Sequence, residues 1–113
     1  MSFPQRDEQR ILHMIEACRL IIAFTDVDKS VYDDSLEKQA AVIHYFMILG
    51  EAASRVSDTF KFAHDEIDWF KASGMRNRLV HDYMATDPEI VWDAAKHDVP
   101  RMLALLEALG ITD

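Results

Sequence analysis

The helical period governs the chain. In "RDEQRILHMIEACRLIIAF", Ile11, Met14, Ile15, Cys18, Ile21 and Ile22 recur at steps of three and four residues, the spacing of one face of an α-helix. Asp7 and Glu8 stand near its start, where negative charge suits the helix dipole. A polar break, "TDVDKS", leads into "SLEKQAAVIHYFMILGEAASRVSDTF". Ser35 is a candidate N-cap, with Glu37 two residues on. This second helix carries two apolar stripes. One runs through Ala40, Ile43, Phe46, Met47, Gly50 and Ala53, the other through Val42, Tyr45, Leu49, Ala52 and Val56. A helix apolar on two faces sits at the centre of its bundle, and the small Gly50, Ala52, Ala53 and Ser54 admit a neighbour at close range.

"FAHDEI" reads as a connection. "DWFKASGMRNRLVHDY" is a third helix, starting near Asp65 or Asp68 and apolar at Trp69, Phe70, Met75, Leu79 and Val80. Gly74 inside it costs up to ~1 kcal/mol relative to Ala; close packing or the close approach of a ligand would explain it. "TDPEIVWDAAKHDVPRMLALLEAL" is the fourth. Thr86 or Asp87 caps it, and Pro88 falls at the first helical position, where a missing N–H costs little. Ile90, Val91, Ala94, Ala95, Met102, Leu105 and Leu106 form its buried side, and Pro100 predicts a kink. No strand pattern competes. The pattern predicts an all-α fold: an antiparallel bundle of four main helices with a short extra turn near residues 31–34, in one domain over residues 1–113.

Composition narrows the class. Half of the 113 residues are apolar, with three glycines and three prolines, so the chain is neither disordered nor fibrous. A chain of this size buries roughly two-thirds of its unfolded surface, enough for one core without staples. The single cysteine, Cys18, excludes an internal disulfide and lies in an apolar run, as a buried inert thiol does. No apolar run reaches the ~18 residues of a spanning helix, and the polar N-terminus lacks the apolar segment of a signal peptide. These features predict a cytosolic protein. The formal net charge is −8, which argues against tight, non-specific nucleic-acid binding by the whole surface. From Lys71 to His81, however, there are three formal positives and no carboxylate.

The stretch "GMRNRLVHDY", which overlaps that window, is the candidate chemistry. Asn77 and His81 are four apart on one helical face, so Asn77 is placed to orient the imidazole. Arg78 and His81, three apart, are also neighbours. Arg76 and His81 are five apart, about 140° around a helix. They meet on one ligand only if the helix frays near His81 or the ligand lies between two chains. Arginine offers a planar fork to phosphate, and histidine moves protons near neutral pH. Together they suit RNA cleavage, in which a base takes the 2′-hydroxyl proton and a cation stabilises the charged phosphorus oxygens. Arg and His near a helix C-terminus also simply complement the dipole, and spacing alone leaves both readings open. Metal is not expected: His13 and Glu16 are one turn apart, but the Glu-x-x-His pairs of a di-metal bundle are missing. His44 reads as a core or interface histidine, while His64 and His97 read as facing solvent. The aromatic residues fall at helical spacing and read as core rather than as base-stacking platforms. No cofactor motif is present.

"GMRNRLVHDY", followed by "DPEIVWDAAKHDVPRML" and preceded by "VIHYFMILGEAASRVSDTF", resembles the HepT branch of the HEPN-domain proteins from about Arg6 to Leu106. The resemblance implies a dimerising helical bundle whose Arg and His line a shared cleft. It implies a metal-independent endoribonuclease, the toxin of a bacterial or archaeal toxin–antitoxin pair. Its antitoxin would be an MntA-type nucleotidyltransferase that adds AMP to the motif tyrosine. Carried over, Arg76 and His81 are catalytic, Asn77 and Arg78 support the site, and Tyr83 is the modified residue. The chain departs from the family pattern at "EIDWF", where a Pro often precedes the Trp, and at "AHDEI", where His-Pro-Glu is common. A non-catalytic HEPN subunit that docks a nucleotidyltransferase and presents its substrate is the alternative. No base-reading module points to a particular RNA.

Overall fold

In a computed structural model of the protein, residues 5–82 and 84–112 are described, and every regular element among them is helical. The first predicted helix is α1, Gln5–Phe24. The short extra turn forms as α2, Lys29–Asp33. The second predicted helix is α3, Leu36–Arg55, capped by Ser35, whose hydroxyl oxygen accepts from the Lys38 N–H at 3.1 Å. It is central, as its two stripes require: α1 packs on one flank and α5, Trp69–Asp82, on the other. The core is built from Ile11, Met14, Cys18 and Ile21 of α1, Val42, Phe46, Leu49 and Ala53 of α3, and Leu79 of α5. Burial pushes the Cys18 thiol up to about 12, and the nearby Glu107 carboxylate adds to the effect. Among the described residues no helix is long and apolar enough to cross a membrane.

α3 ends earlier than the apolar period foretells. Val56 turns into extended backbone, and Ser57 starts a new helix, α4, Asp58–Ala63, by accepting the Phe60 N–H at 3.2 Å. The break is anchored from far along the chain. Asp7 is 3% exposed. Its carboxylate accepts from the Ser57 N–H at 2.8 Å and the Ser57 hydroxyl at 2.6 Å. So "FAHDEI" is only partly a connection, because Phe62 and Ala63 still belong to α4.

The fourth predicted helix is α6, Pro88–Asp93, and α7, Val99–Glu107, joined through a π-helical turn, Ala94–Asp98. Asp87 is the N-cap, accepting the Glu89 N–H at 2.9 Å. The path stays helical at Pro100. The Val99 N–H reaches back five residues to the Ala94 carbonyl, and this wider turn makes room for a ring that lacks an N–H. α7 then packs on α1. On the surface, Lys29 bridges Asp33 and Glu89 and ties α2 to α6. Hydrogen bonds to those two carboxylates raise its ammonium above the ordinary lysine value.

Candidate functional site

α5 brings the candidate residues onto one uninterrupted helix. The Asp68 side chain starts it, accepting the Lys71 N–H at 2.9 Å. Trp69, Ala72 and Leu79 face the core. The opposite side looks outward, and there the apolar pattern misplaced three side chains. Phe70 is 85% exposed and Val80 48% exposed, while Ile90 of α6 is 40% exposed. Phe70 lies about 100° or more around the helix from the buried Trp69, Ala72 and Leu79, so a helical spacing of aromatics did not guarantee burial.

Arg76 is held on the α3 side of α5. A Cβ added at Gly50 would stand 2.1 Å from the Arg76 Cβ and 2.8 Å from the Ala72 carbonyl oxygen. Only a glycine in α3 lets α5 come so near. The residue after it, Glu51, meets the guanidinium, with Arg76 Nη2 3.0 Å from Glu51 Oε2. Its other oxygen accepts from Arg55 Nε at 2.7 Å. The hydrogen bond from Arg55 lowers the Glu51 carboxyl below its ordinary value, and the positive charges of Arg55, Arg76 and Arg10 reinforce this. Arg76 Nη1 donates to Asn77 Oδ1 at 3.1 Å. The Asn77 carboxamide thus engages Arg76, not His81 as the four-residue spacing foretells. Arg76 thus has two partners, Glu51 at Nη2 and Asn77 at Nη1, which orient its guanidinium.

His81 is exposed in the last turn of α5. The helix does not fray before it, so Arg76 and His81 stay roughly 140° and ~7.5 Å apart along a straight axis. The straight helix therefore points the two side chains in different directions. Arg78 is also exposed and lies on the other side of α5 from Arg76. With Phe70, Lys71, Gly74 and His97 it lines a separate open groove. Lys71 there is paired with Asp98 at 3.2 Å. Among the described residues the side chains of Arg78 and His81 make no hydrogen bond or ion pair. Tyr83 lies outside the described residues.

Gly74 resolves differently from Gly50. A Cβ there would find nothing within 4 Å, so packing does not explain the glycine. His44 is exposed rather than a core residue, with its ring against Tyr45 at 5.1 Å. His64 is half-buried against Phe60, ring to ring at 4.6 Å. His97 is exposed. Among the described residues no group of three or more His, Cys, Asp or Glu is placed to hold a metal ion.

Beside Arg76, between α1, α3 and α5, opens a pocket of about 360 Å³. Arg10 and His13 of α1 and His44 and Glu51 of α3 line it together with Arg76. Sequence spacing does not reveal this group, because its members come from helices far apart in the chain. The one local signal is "GEAA", where Gly50 marks the close approach and Glu51 follows it.

The chain is similar to known proteins over most of its length. A family model described as "Ribonuclease HepT-like" matches residues 14–109. A Thermococcus cleftensis protein named "Probable ribonuclease HepT" is 35% identical over 83% of this chain and 86% of its own length. A Methanocaldococcus jannaschii protein named "Putative RNase MJ1380" is 30% identical over 87% of this chain and 92% of its own. No solved structure matches the chain significantly.

Proposed function

The chain belongs to the HepT-like ribonuclease family, and from that premise we propose that it is a metal-independent HEPN endoribonuclease acting as the toxin of a toxin–antitoxin pair. The observation that carries the reading is the Arg76 guanidinium, oriented by Gly50, Glu51 and Asn77, on the same helix as His81, whose side chain has no partner among the described residues. Two chains form the working unit. Arg76 of one faces His81 of the other across a two-fold axis, which removes the 140° misfit within a single helix. The exposed apolar Met47, Ile48 and Val80 beside Arg76 are the surface such a contact would cover.

The chemistry follows from the residue types. A histidine takes the proton of the RNA 2′-hydroxyl, and the freed oxygen attacks the adjacent phosphorus. The O2′–P bond forms and the P–O5′ bond breaks, leaving a 2′,3′-cyclic phosphate and a 5′-hydroxyl, to which a second proton is delivered. Arg76 neutralises the charge that builds on the phosphorus oxygens. The nucleophile is internal to the substrate, so no metal-activated water is required.

Control falls to Tyr83, directly after the last residue of α5 and two residues from His81 in sequence. An MntA-type nucleotidyltransferase antitoxin adds AMP there, and the added bulk and negative charge keep RNA from the cleft. The test is expression of the chain alone, with RNA cleavage assayed in the presence of a chelator. Wild type arrests growth and cuts RNA, while His81→Ala and Arg76→Ala do neither. A wild type as harmless and as inactive as the variants overturns the reading. A wild type that is inactive yet binds the nucleotidyltransferase tightly, with Tyr83 unmodified, identifies a docking subunit instead.

A further inference from the structure

The pocket beside Arg76 contains more cationic capacity than the motif accounts for. Two arginines, Arg10 and Arg76, face one carboxylate, Glu51, and two histidines, His13 and His44, complete the polar lining. Glu51 is already shared, because Arg55 holds its other oxygen. Among the described residues the Arg10 Nε is buried without a hydrogen-bond partner, and Arg10 makes no ion pair. A buried donor left unmade is costly, and a guanidinium donor calls for an oxygen acceptor of opposite charge.

We propose that this pocket is a phosphate-binding subsite, in which Arg10 is a second ligand, beside Arg76, for the RNA backbone. The proposal rests on the ribonuclease reading and names a substrate-binding residue that lies outside the motif helix. A phosphodiester suits the pocket in three ways. It supplies acceptor oxygens to the Arg10 guanidinium, which lines the pocket and has no ion pair among the described residues. It offsets the excess of two guanidiniums over one carboxylate. It lets Arg76 leave Glu51 without stranding that carboxylate, which keeps its bond to Arg55. His13 and His44 add donors on the same wall, and the apolar Met47, Ile48 and Val80 beside them limit competition from water.

The test uses the full chain and a fluorescent 2′-O-methyl RNA oligonucleotide, which lacks the reacting hydroxyl and is bound without being cut. Affinity is measured across a salt series for wild type, Arg10→Ala and Arg10→Lys, with folding checked by circular dichroism. Arg10→Ala is expected to bind about tenfold or more weakly, the loss of one charged hydrogen bond. Its salt slope should be shallower by about one phosphate contact. Arg10→Lys keeps the point charge, so it restores the slope and only part of the affinity. Equal affinity and slope for wild type and Arg10→Ala overturn the subsite, even where wild type cleaves RNA. A wild type that binds with the expected Arg10 dependence but cuts no natural RNA supports the subsite and overturns the ribonuclease reading. If Arg10→Ala instead shrinks the assembly in sedimentation, Arg10 serves to hold the two chains together rather than to bind phosphate, and the proposal falls. Should Arg10→Ala fail to fold, Arg10→Lys against wild type still decides: identical affinity removes the need for a guanidinium fork.

Discussion

Gly50 and Gly74 occupy helix interiors, yet they answer opposite demands. The sequence marks Gly50 as a place where a neighbouring helix can come close, and leaves Gly74 open between close packing and a ligand, because the neighbour lies on another helix. At Gly50 a methyl group would collide with the Arg76 Cβ and the Ala72 carbonyl; at Gly74 it would meet nothing. Gly50→Ala is therefore expected to lower stability by about 1–3 kcal/mol, the cost of overpacking, and to weaken RNA cleavage by shifting Arg76. Gly74→Ala is expected to raise stability by up to ~1 kcal/mol from helix propensity. Urea midpoints of the two variants check the contrast. Glu51 adds a pH dependence. Its carboxyl is lowered by Arg55 first, then by the other arginines around it. Its folded-state value lies below the unfolded one, so the contribution is present above the ordinary carboxylate range and fades as pH falls through the lowered value. Denaturation midpoints of wild type and Glu51→Gln should differ at neutral pH and converge in acid. A gap that stays constant into acid would mean that the carboxylate charge contributes nothing there.

Among the elements, the long helices were legible because each has a continuous apolar face at helical spacing. What was not legible was their punctuation. Val56 and Phe60 continue the apolar period of α3, so the pattern runs on where the chain turns. The turn is fixed by the Ser57 cap and by Asp7, a residue 50 positions away. Sequence-local signals do not carry such a contact. Asp7→Ala removes the acceptor for both the Ser57 N–H and the Ser57 hydroxyl in a site that is 3% exposed. It should cost about 1.5–3 kcal/mol, whereas exposed Glu8→Ala should change little. Thermal unfolding of the pair measures the difference. Pro100 was legible as an interruption, but not as a π turn. A kink and a widened turn both accommodate a missing N–H, and the bond from the Val99 N–H to the Ala94 carbonyl shows that the wider turn forms.

For the molecule as a whole, the motif was legible as chemistry but not as geometry. Arg76, Asn77 and His81 stand together in sequence, yet an unbroken α5 turns Arg76 toward Glu51 and leaves His81 outward. A site shared between two chains makes a quantitative prediction that a site within one chain does not. Arg76→Ala and His81→Ala homodimers each lack one half of every site and should both be inactive. Mixed in equal amounts and allowed to exchange, they form heterodimers as about half of all dimers. In each heterodimer one of the two shared sites combines the intact Arg76 of one chain with the intact His81 of the other, and the remaining site has neither. Activity should therefore recover to about a quarter of the wild-type value, counting two sites per dimer. If Arg76 and His81 act within one chain, no heterodimer contains an intact pair, and mixing restores nothing. Cleavage of one labelled RNA by the separate and exchanged variants, with exchange verified by mass, decides between these outcomes.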